Sequence, residues 1–183
     1  MTSNDPYLKE VFNQPPLVAY KRPPNIKDKL IRAKVPEVGN SRPRRIIPGM
    51  QKCNNCPICP FVQTGKFVKA TATDFKIDIN TSVNCQTRNF IYCISCQKCR
   101  AQYIGQSERS LQERFSEHKG YVVNSVQSKA TDEHFNLPGH KVSDMNVTIV
   151  EKVYSRDQMV REERESMFIK SMNTKHKGLN KKT

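Results

Sequence analysis

The chain has 183 residues, of which 31 are lysine or arginine and 17 are aspartate or glutamate, so its formal net charge is +14. This excess favours a polyanionic partner, and we expect DNA, although plain solubility or binding to acidic proteins would also produce it. No apolar run approaches the roughly 20 residues of a membrane-spanning helix, and the polar, proline-rich start is unlike a secretory signal, so we expect no membrane partner.

The N-terminal region is marked by proline. Ten of the eleven prolines lie before residue 61, and proline both removes a backbone donor and favours extended conformations. Residues 1–50 are therefore predicted to be an extended basic arm or linker, with one possible short helix at Ile26–Ala33. Arg42, Arg44 and Arg45 form a basic cluster that could bind phosphates or act as a nuclear address, while solvated linker charge remains an alternative.

A cysteine-rich segment follows at residues 51–88. The chain has seven cysteines and no export signal, which indicates a reducing compartment where thiolates bind metal and disulfides do not form. Cys53, Cys56 and Cys59 are spaced in threes, and with Cys85 they would make a closed four-thiolate zinc site. Partial alternation over residues 61–81 predicts a small hairpin inside this segment.

Residues 89–183 have the pattern of an α+β domain. Two capping-box sequences, Ser110–Glu113 and Ser155–Gln158, each predict a helix start, and Leu111 and Phe115 supply a core-facing stripe. The predicted elements are strands at Phe90–Ser95, Ala101–Gly105 and Asn146–Val153, helices from Ser110 to about Val122 and from Ser155 to about Met172, and a polar loop at Asn124–Asp132.

A second metal site is predicted within this domain. Cys96 and Cys99 lie at the tip of the first two strands, where they are unlike a redox pair, which normally lies at a helix N-terminus. His134 and His140 bracket a short turn-rich loop, so two thiolates and two imidazoles could close a structural zinc site. Surface histidines and core cysteines are the alternative. Cys93, in mid-strand, is predicted to be an unligated thiol.

Candidate catalytic side chains lie on the two predicted helices. Arg114 and His118 are four residues apart and share a face that Tyr121 continues, although a solvated surface would give the same pattern. Glu165 projects from the edge of a buried stripe, where a carboxylate costs free energy unless it is paired or binds metal. Pairing with Arg161 is the alternative to a functional role.

The order of these residues resembles a known family. The residues that carry the order are Phe90-Ile91-Tyr92, Tyr103-Ile104-Gly105, Arg114, His118, Glu165 and Asn180. They resemble the GIY-YIG nucleases, and more closely the endonuclease domain of Penelope-like retroelements, which inserts a Cys-x-x-Cys between its half-motifs. That branch also has the sequence found at His134–His140 and the ending Gly178-Leu179-Asn180, and segments 16–20 and 25–28 resemble its linker to reverse transcriptase. Phe90 departs from the glycine of the wider family, and Met167-Phe168 replaces a bulkier aromatic pair.

The resemblance implies a fold and a mechanism. The fold is a GIY-YIG nuclease fold, with a small three-stranded, mainly antiparallel sheet flanked by helices, and with inserted zinc knuckles. Glu165 would hold one Mg²⁺ (or Mn²⁺) ion, and Arg114 would bind the scissile phosphate. Tyr92 and Tyr103 would position the attacking water, and either of them or His118 would be the general base. Asn180 would fix the site by hydrogen bonding, and structural Zn²⁺ would occupy one or both cysteine sites.

The resemblance also implies a biological role. The enzyme would nick DNA and leave a 3′-hydroxyl primer for target-primed reverse transcription, in a nuclear protein fused to a reverse transcriptase and acting with element RNA. Arg42, Arg44, Arg45 and Lys119 would contact nucleic acid. Three alternatives remain: a non-catalytic nucleic-acid-binding module, a host repair or structure-specific GIY-YIG nuclease, and a zinc-dependent protein-interaction module.

Overall fold

A computed structural model describes residues 47–126 and 130–180. The predicted helix at Ile26–Ala33 and the basic cluster of Arg42, Arg44 and Arg45 lie outside the described residues. Of the helices that are described, none is both long and apolar enough to cross a membrane. The division into segments 1–50, 51–88 and 89–183 stays a prediction.

The centre of the fold is a three-stranded antiparallel sheet in the order β6-β5-β7. Strand β5 spans Phe90–Cys96, β6 spans Gln102–Ser107 and β7 spans Met145–Lys152. Because β5 lies between two neighbours and is buried along almost its whole length, its sequence is a nearly continuous apolar run. The predicted α+β class and all three predicted strands are confirmed, with ends shifted by one or two residues.

Four helices follow from the second half of the chain. They are α1 at Leu111–Val123, α2 at Ala130–Phe135, α3 at Gln158–Ser171 and α4 at Thr174–Lys177. Helix α1 begins with the predicted capping box, in which the Ser110 hydroxyl accepts from the Glu113 amide and the Glu113 carboxylate accepts from the Ser110 amide. The predicted stripe of Leu111 and Phe115 is buried, so α1 packs firmly onto the domain core.

Two predicted boundaries are wrong. The cap of α3 is Asp157, whose carboxylate accepts from the Met159 amide, while Ser155 accepts from the Asp157 amide outside the helix. Aspartate and serine cap helices about equally well, so local sequence could not choose between them. The predicted polar loop ends early because α2 begins at Ala130, and its Thr131 and Asp132 are fully buried.

The cysteine-rich segment folds against the same core. It contains strands β1 (Gly49–Met50), β2 (Phe67–Lys69), β3 (Lys76–Asp78) and β4 (Ser82–Val83), and a 3₁₀ turn at Cys59–Phe61. Strands β2 and β3 form the predicted antiparallel hairpin. Strands β1 and β4 pair in parallel, which the sequence did not predict, and they bury Met50 and Val83 in the core.

Candidate active site and metal centres

Tyr92 lies at the centre of a buried polar cluster between β5 and α1. Its side chain is only 1% exposed, and its hydroxyl accepts a hydrogen bond from Arg114 Nε at 3.0 Å. The same hydroxyl lies 2.8 Å from His118 Nε2. Arg114 and His118 therefore share one helix face, as predicted, but the face is turned inward. The alternative of a solvated Arg/His surface is wrong, because His118 is completely buried.

Tyr103 is brought beside Tyr92 by the register of the β5–β6 hairpin. Tyr92 lies directly opposite Gly105, and Tyr103 lies two residues before Gly105, so all three share one face of the sheet. The Tyr103 ring centroid lies 6.2 Å from that of Tyr92 and 5.9 Å from that of His118. A Cβ at Gly105 would lie 2.6 Å from the Tyr92 hydroxyl oxygen, so the two phenols converge only because this residue is glycine.

Glu165 on α3 is a half-buried carboxylate. It has no hydrogen bond or ion pair within the described residues 47–126 and 130–180. Burial raises the pKa of Glu165 to about 7, against the opposing effect of Arg114 and with a smaller contribution from Glu162. The alternative of pairing with Arg161 is wrong, because that side chain donates to Gln106 Oε1 and to the Arg156 carbonyl.

Glu165, Arg114 and the two phenols act on one another electrostatically. Burial raises the pKa of both Tyr92 and Tyr103, and the Glu165 carboxylate raises both pKa values further. The Arg114 guanidinium lowers both pKa values, as it does that of Glu165. A carboxylate from α3 and a guanidinium from α1 therefore flank one pair of tyrosines.

Asn180 binds the backbone of β6 between Tyr103 and Gly105. Its Oδ1 accepts from the Ile104 amide at 2.9 Å, and its Nδ2 donates to the Ile104 carbonyl at 2.8 Å. Asn180 therefore pairs with both polar groups of one residue on the strand that carries Tyr103.

The first candidate metal centre, here called the cysteine–histidine cluster, consists of Cys96, Cys99, His134 and His140. One ligand atom from each residue lies within 4.8 Å of the others, and Cys99 Sγ is 3.4 Å from His134 Nε2. Burial and the neighbouring His140 lower the pKa of His134, which favours the neutral, ligating imidazole. Both ring nitrogens of His140 are buried with no hydrogen-bond partner in the described part of the chain, as expected for a residue that binds a metal ion.

The second centre, here called the four-cysteine cluster, consists of Cys53, Cys56, Cys59 and Cys85. Their ligand atoms also lie within 4.8 Å of one another. Although burial opposes it, hydrogen bonding from the other thiols, that of Cys56 first, lowers the pKa of Cys59 to about 6. Burial raises the pKa of Cys56 and that of Cys85, so Cys59 is the first of these three thiols to ionise. Cys93 is buried in mid-strand and belongs to neither cluster, as predicted.

The comparison with protein families agrees with this geometry. The model of the GIY-YIG catalytic domain matches residues 88–180, which is 93 of the 183 residues.

The chain belongs to the GIY-YIG family.

It is therefore an enzyme of the DNA endonuclease class. Among solved structures, the catalytic domain of homing endonuclease I-TevI is 22% identical, with 52% of this chain and 100% of that chain covered and a TM-score of 0.46. A mutant of the catalytic domain of intron endonuclease I-TevI is also 22% identical, with 51% and 93% covered and a TM-score of 0.45. None of the curated proteins compared with the chain matches it.

The two GIY-YIG half-motifs lie on the central hairpin. Phe90, which replaces the glycine of the first half-motif, is completely buried, and its ring meets that of Tyr92 edge-on at 5.8 Å. The substitution therefore changes the packing beside Tyr92. At the second departure from the family pattern, where Met167-Phe168 replaces a bulkier aromatic pair, Phe168 is buried and Met167 is exposed.

Sequence reasoning missed Glu117, which holds Arg114 in place. Its carboxylate accepts from Arg114 Nη1, from Arg109 Nη2 at 2.7 Å and from the Tyr121 hydroxyl at 3.0 Å. Burial alone would raise the pKa of Glu117, but these contacts lower it to about 2. The sequence did contain a signal for these contacts, because Glu117 follows Arg114 by three residues and precedes Tyr121 by four, which are spacings at which side chains on a helix meet. Tyr121 continues the helix face as predicted, but its hydroxyl binds this carboxylate.

Sequence reasoning also missed Thr131 and Asp132 on α2. His118 Nδ1 lies 3.1 Å from Thr131 Oγ1, which in turn donates to Asp132 Oδ1 at 3.1 Å. Lys119, predicted to bind nucleic acid, places its Nζ 5.0 Å above the Phe61 ring. Its role in binding stays a prediction.

Proposed function

We propose that this GIY-YIG endonuclease uses a divalent metal ion held by Glu165 to nick target DNA. We further propose that the resulting 3′-hydroxyl primes reverse transcription by a Penelope-like retroelement. The observation that carries the chemical part is the half-buried Glu165 carboxylate, which has no hydrogen-bond or ion-pair partner among the described residues and interacts electrostatically with Arg114 and Tyr103.

Glu165 fits a hard divalent cation such as Mg²⁺ or Mn²⁺. A carboxylate whose pKa burial raises to about 7, and which has no partner among the described residues, is stabilised when a cation takes that place. Bound there, the ion would supply Lewis-acid stabilisation of the leaving oxygen. Because Glu165 alone is proposed to hold the ion, one metal ion is favoured over two.

Arg114 is suited to hold the scissile phosphate. Its Nε donates to Tyr92 and its Nη1 to Glu117, while its Nη2 has no hydrogen bond among the residues that the structure describes. The guanidinium is thus fixed on two sides and keeps a donor for a phosphate oxygen, whose charge grows during in-line attack.

The two phenols have different exposures and therefore different roles. Tyr103 is half-buried and reaches the surface, so it is the phenol that would contact the attacking water. Tyr92 is buried and bonds His118, so it would act behind Tyr103 as part of a proton path. Asn180 would keep Tyr103 in register by binding the neighbouring Ile104.

Zn²⁺ in the cysteine–histidine and four-cysteine clusters would be structural. Four protein ligands fill a tetrahedron and leave no position for water, and thiolate and imidazole are the ligands that zinc prefers. The ring nitrogens of His140, which have no hydrogen-bond partner among the described residues, support this assignment.

The retroelement role is supported by the motifs inserted into this domain. The cysteine–histidine cluster is built from Cys96 and Cys99, between the two half-motifs, and from the ends of the His134–His140 sequence, all of which resemble the Penelope-like branch. On this proposal the protein is nuclear, is fused to a reverse transcriptase and acts with element RNA. Arg42, Arg44, Arg45 and Lys119 contact phosphates.

A supercoiled-plasmid nicking assay with Mg²⁺ tests the chemical part. We expect wild type to give open circles and Glu165→Ala to lose the activity by at least ~100-fold. Glu163→Gln, an exposed glutamate on the same helix, is the matched control and should nick like wild type. Equal activity of wild type and Glu165→Ala would refute the role of Glu165.

Extension of the nicked product tests the retroelement part. A polymerase with labelled nucleotides should extend the nick directly, without phosphatase treatment, because the product ends in a 3′-hydroxyl. A 3′-phosphate product, or a native gene with no reverse transcriptase reading frame, would rule out the priming role. The nuclease assignment would still stand.

A further inference from the structure

A line of buried hydrogen bonds extends from Tyr92 to helix α2. It runs from the Tyr92 hydroxyl to His118 Nε2 at 2.8 Å, from His118 Nδ1 to Thr131 Oγ1 at 3.1 Å, and from Thr131 Oγ1 to Asp132 Oδ1 at 3.1 Å. None of the four side chains is more than 1% exposed. Because these side chains are buried, the hydrogen-bond donors along the line have to be matched by acceptors of the protein.

The donors along the line can be counted from the inner end. The Thr131 hydroxyl has one hydrogen, which it donates to Asp132 Oδ1, so towards His118 its oxygen can only accept. His118 Nδ1 must then carry a hydrogen. A neutral imidazole has only one N–H, so His118 Nε2 presents a lone pair to the Tyr92 hydroxyl.

The direction of the Tyr92 hydroxyl hydrogen follows in the same way. Its oxygen accepts from Arg114 Nε, and its single hydrogen points to His118 Nε2. A proton that leaves Tyr92 therefore has an acceptor in place: the O–H bond breaks, the Nε2–H bond forms, and the electron pair stays on the phenolate oxygen. Arg114 offsets the phenolate charge, and the Asp132 carboxylate lies behind the new imidazolium.

We propose that Thr131, supported by Asp132, is a positioning residue that fixes the Nδ1–H tautomer of His118 and thereby makes His118 the proton acceptor for Tyr92. Its catalytic consequence rests on the proposed nuclease function, whereas the tautomer itself does not. Thr131 touches neither substrate nor metal in this scheme and acts only through His118.

The tautomer can be measured directly in the full chain. Long-range ¹H–¹⁵N correlation spectra of protein labelled in its four histidines distinguish Nδ1–H from Nε2–H imidazoles, and a spectrum of His118→Gln assigns the signal. We expect His118 to be in the Nδ1–H form in the wild type and in the inactive Glu165→Gln protein. An Nε2–H signal in the wild type would overturn the proposal, and this result needs no Thr131 variant that folds.

Substitution of Thr131 tests the link to catalysis. Thr131→Val keeps the shape but removes the hydroxyl, so we expect the Nδ1–H preference to be lost and kcat for nicking to fall about 10- to 100-fold at an unchanged KM. Thr131→Ser should restore both. The matched control is Thr174→Val, since Thr174 is equally buried but its hydroxyl has no partner among the described residues. The histidine spectrum and the kcat of Thr174→Val should equal those of wild type.

The outcomes separate this inference from the proposed function. If wild type does not nick DNA but His118 is Nδ1–H, the nuclease proposal fails and the tautomer assignment stands. If wild type nicks DNA and folded, zinc-loaded Thr131→Val keeps both the tautomer and kcat, the role of Thr131 is refuted and the nuclease proposal stands.

Discussion

At the residue scale, the missing side chain of Gly105 decides how closely the two phenols approach. Tyr92 lies across the hairpin from this glycine, and Tyr103 lies two residues before it. An added Cβ would lie 2.6 Å from the Tyr92 hydroxyl oxygen and 2.8 Å from Tyr103 Cε1, distances that Cβ atoms do not adopt. The third residue of the second half-motif thus provides the space in which the other groups meet.

Gly105→Ala should therefore displace a tyrosine. We expect nicking to fall at least ~10-fold and the free energy of unfolding to fall by about 1–3 kcal/mol, measured by plasmid nicking and urea denaturation. Gly120→Ala on α1 is the control, because no atom of the described residues lies within 4 Å of its added Cβ. It should retain activity and gain about 0.5–1 kcal/mol from helix propensity. Equal behaviour of the two variants would contradict the crowding argument.

The raised pKa of Glu165 gives a pH dependence with a definite sign. Its pKa is about 7 in the folded chain against an ordinary value of 4.5, so the folded state favours the protonated carboxyl. The contribution of Glu165 to stability is complete below about pH 4.5 and is lost as the pH rises through about 7.

Glu165→Gln should therefore become more stable relative to wild type between pH 5 and pH 8 without added Mg²⁺, by on the order of 1 kcal/mol. Urea denaturation at each pH measures the difference, and Mg²⁺ should shrink it by binding the wild-type carboxylate. Parallel stability curves for the two proteins would show that burial does not raise this pKa.

At the scale of elements, helix α1 is connected to both the four-cysteine and the cysteine–histidine cluster. The carbonyl of Cys85, a member of the four-cysteine cluster, accepts from the Gln112 amide in the first turn of α1 at 2.9 Å. Helix α2 carries His134 of the cysteine–histidine cluster and, one turn earlier, Thr131, which bonds His118 on α1. Each cluster therefore fixes the helix that carries Arg114 and His118, although neither contributes a catalytic group.

Removal of one zinc ligand should therefore impair catalysis from a distance. We expect wild type to bind two zinc ions per chain, and His140→Ala to bind one and to lose most of its nicking activity, measured by elemental mass spectrometry and plasmid nicking. Cys93→Ala is the control, since this buried thiol belongs to neither cluster, and it should keep both ions. Two zinc ions in His140→Ala would refute the assignment of the cysteine–histidine cluster.

Elements with local signals were predictable, and those with distant partners were not. The capping box of α1 and the alternation of β2 and β3 lie within a few residues, so sequence alone identified them. Helix α2 reads as a polar loop because the contact that buries Thr131 comes from His118, thirteen residues earlier. No local pattern contains that contact.

At the scale of the whole molecule, the site is assembled from parts far apart in sequence. The phenols come from β5 and β6, Arg114 from α1 and Glu165 from α3. Asn180, near the end of the chain, supplies the hydrogen bonds to the Ile104 backbone. The order of these residue types was readable from the sequence through the family pattern, whereas the contact of His118 with Thr131 needed coordinates.

The net charge of +14 predicts a strong salt dependence of DNA binding. Replacing Arg42, Arg44 and Arg45 together by glutamine should lower the slope of log affinity against log salt by about 2–3, if each neutralises one phosphate. Fluorescence anisotropy with a labelled duplex measures the slope. Lys76→Gln is the control, because Lys76 is paired with Asp78 at 2.8 Å, and its slope should equal that of wild type. An unchanged slope in the triple variant would show that these three arginines do not contact DNA phosphates.

The pair of hydrogen bonds between Asn180 and the Ile104 backbone restricts which amino acids can replace Asn180. The carboxamide of Asn180 recognises a peptide group as one nucleobase recognises another, with a donor and an acceptor side by side at 2.8 and 2.9 Å. Aspartate offers no donor to the carbonyl, serine and threonine cannot span both atoms, and glutamine is one methylene too long. A domain that keeps every catalytic group but lacks this carboxamide would therefore lose both hydrogen bonds that hold the backbone of the strand between Tyr103 and Gly105.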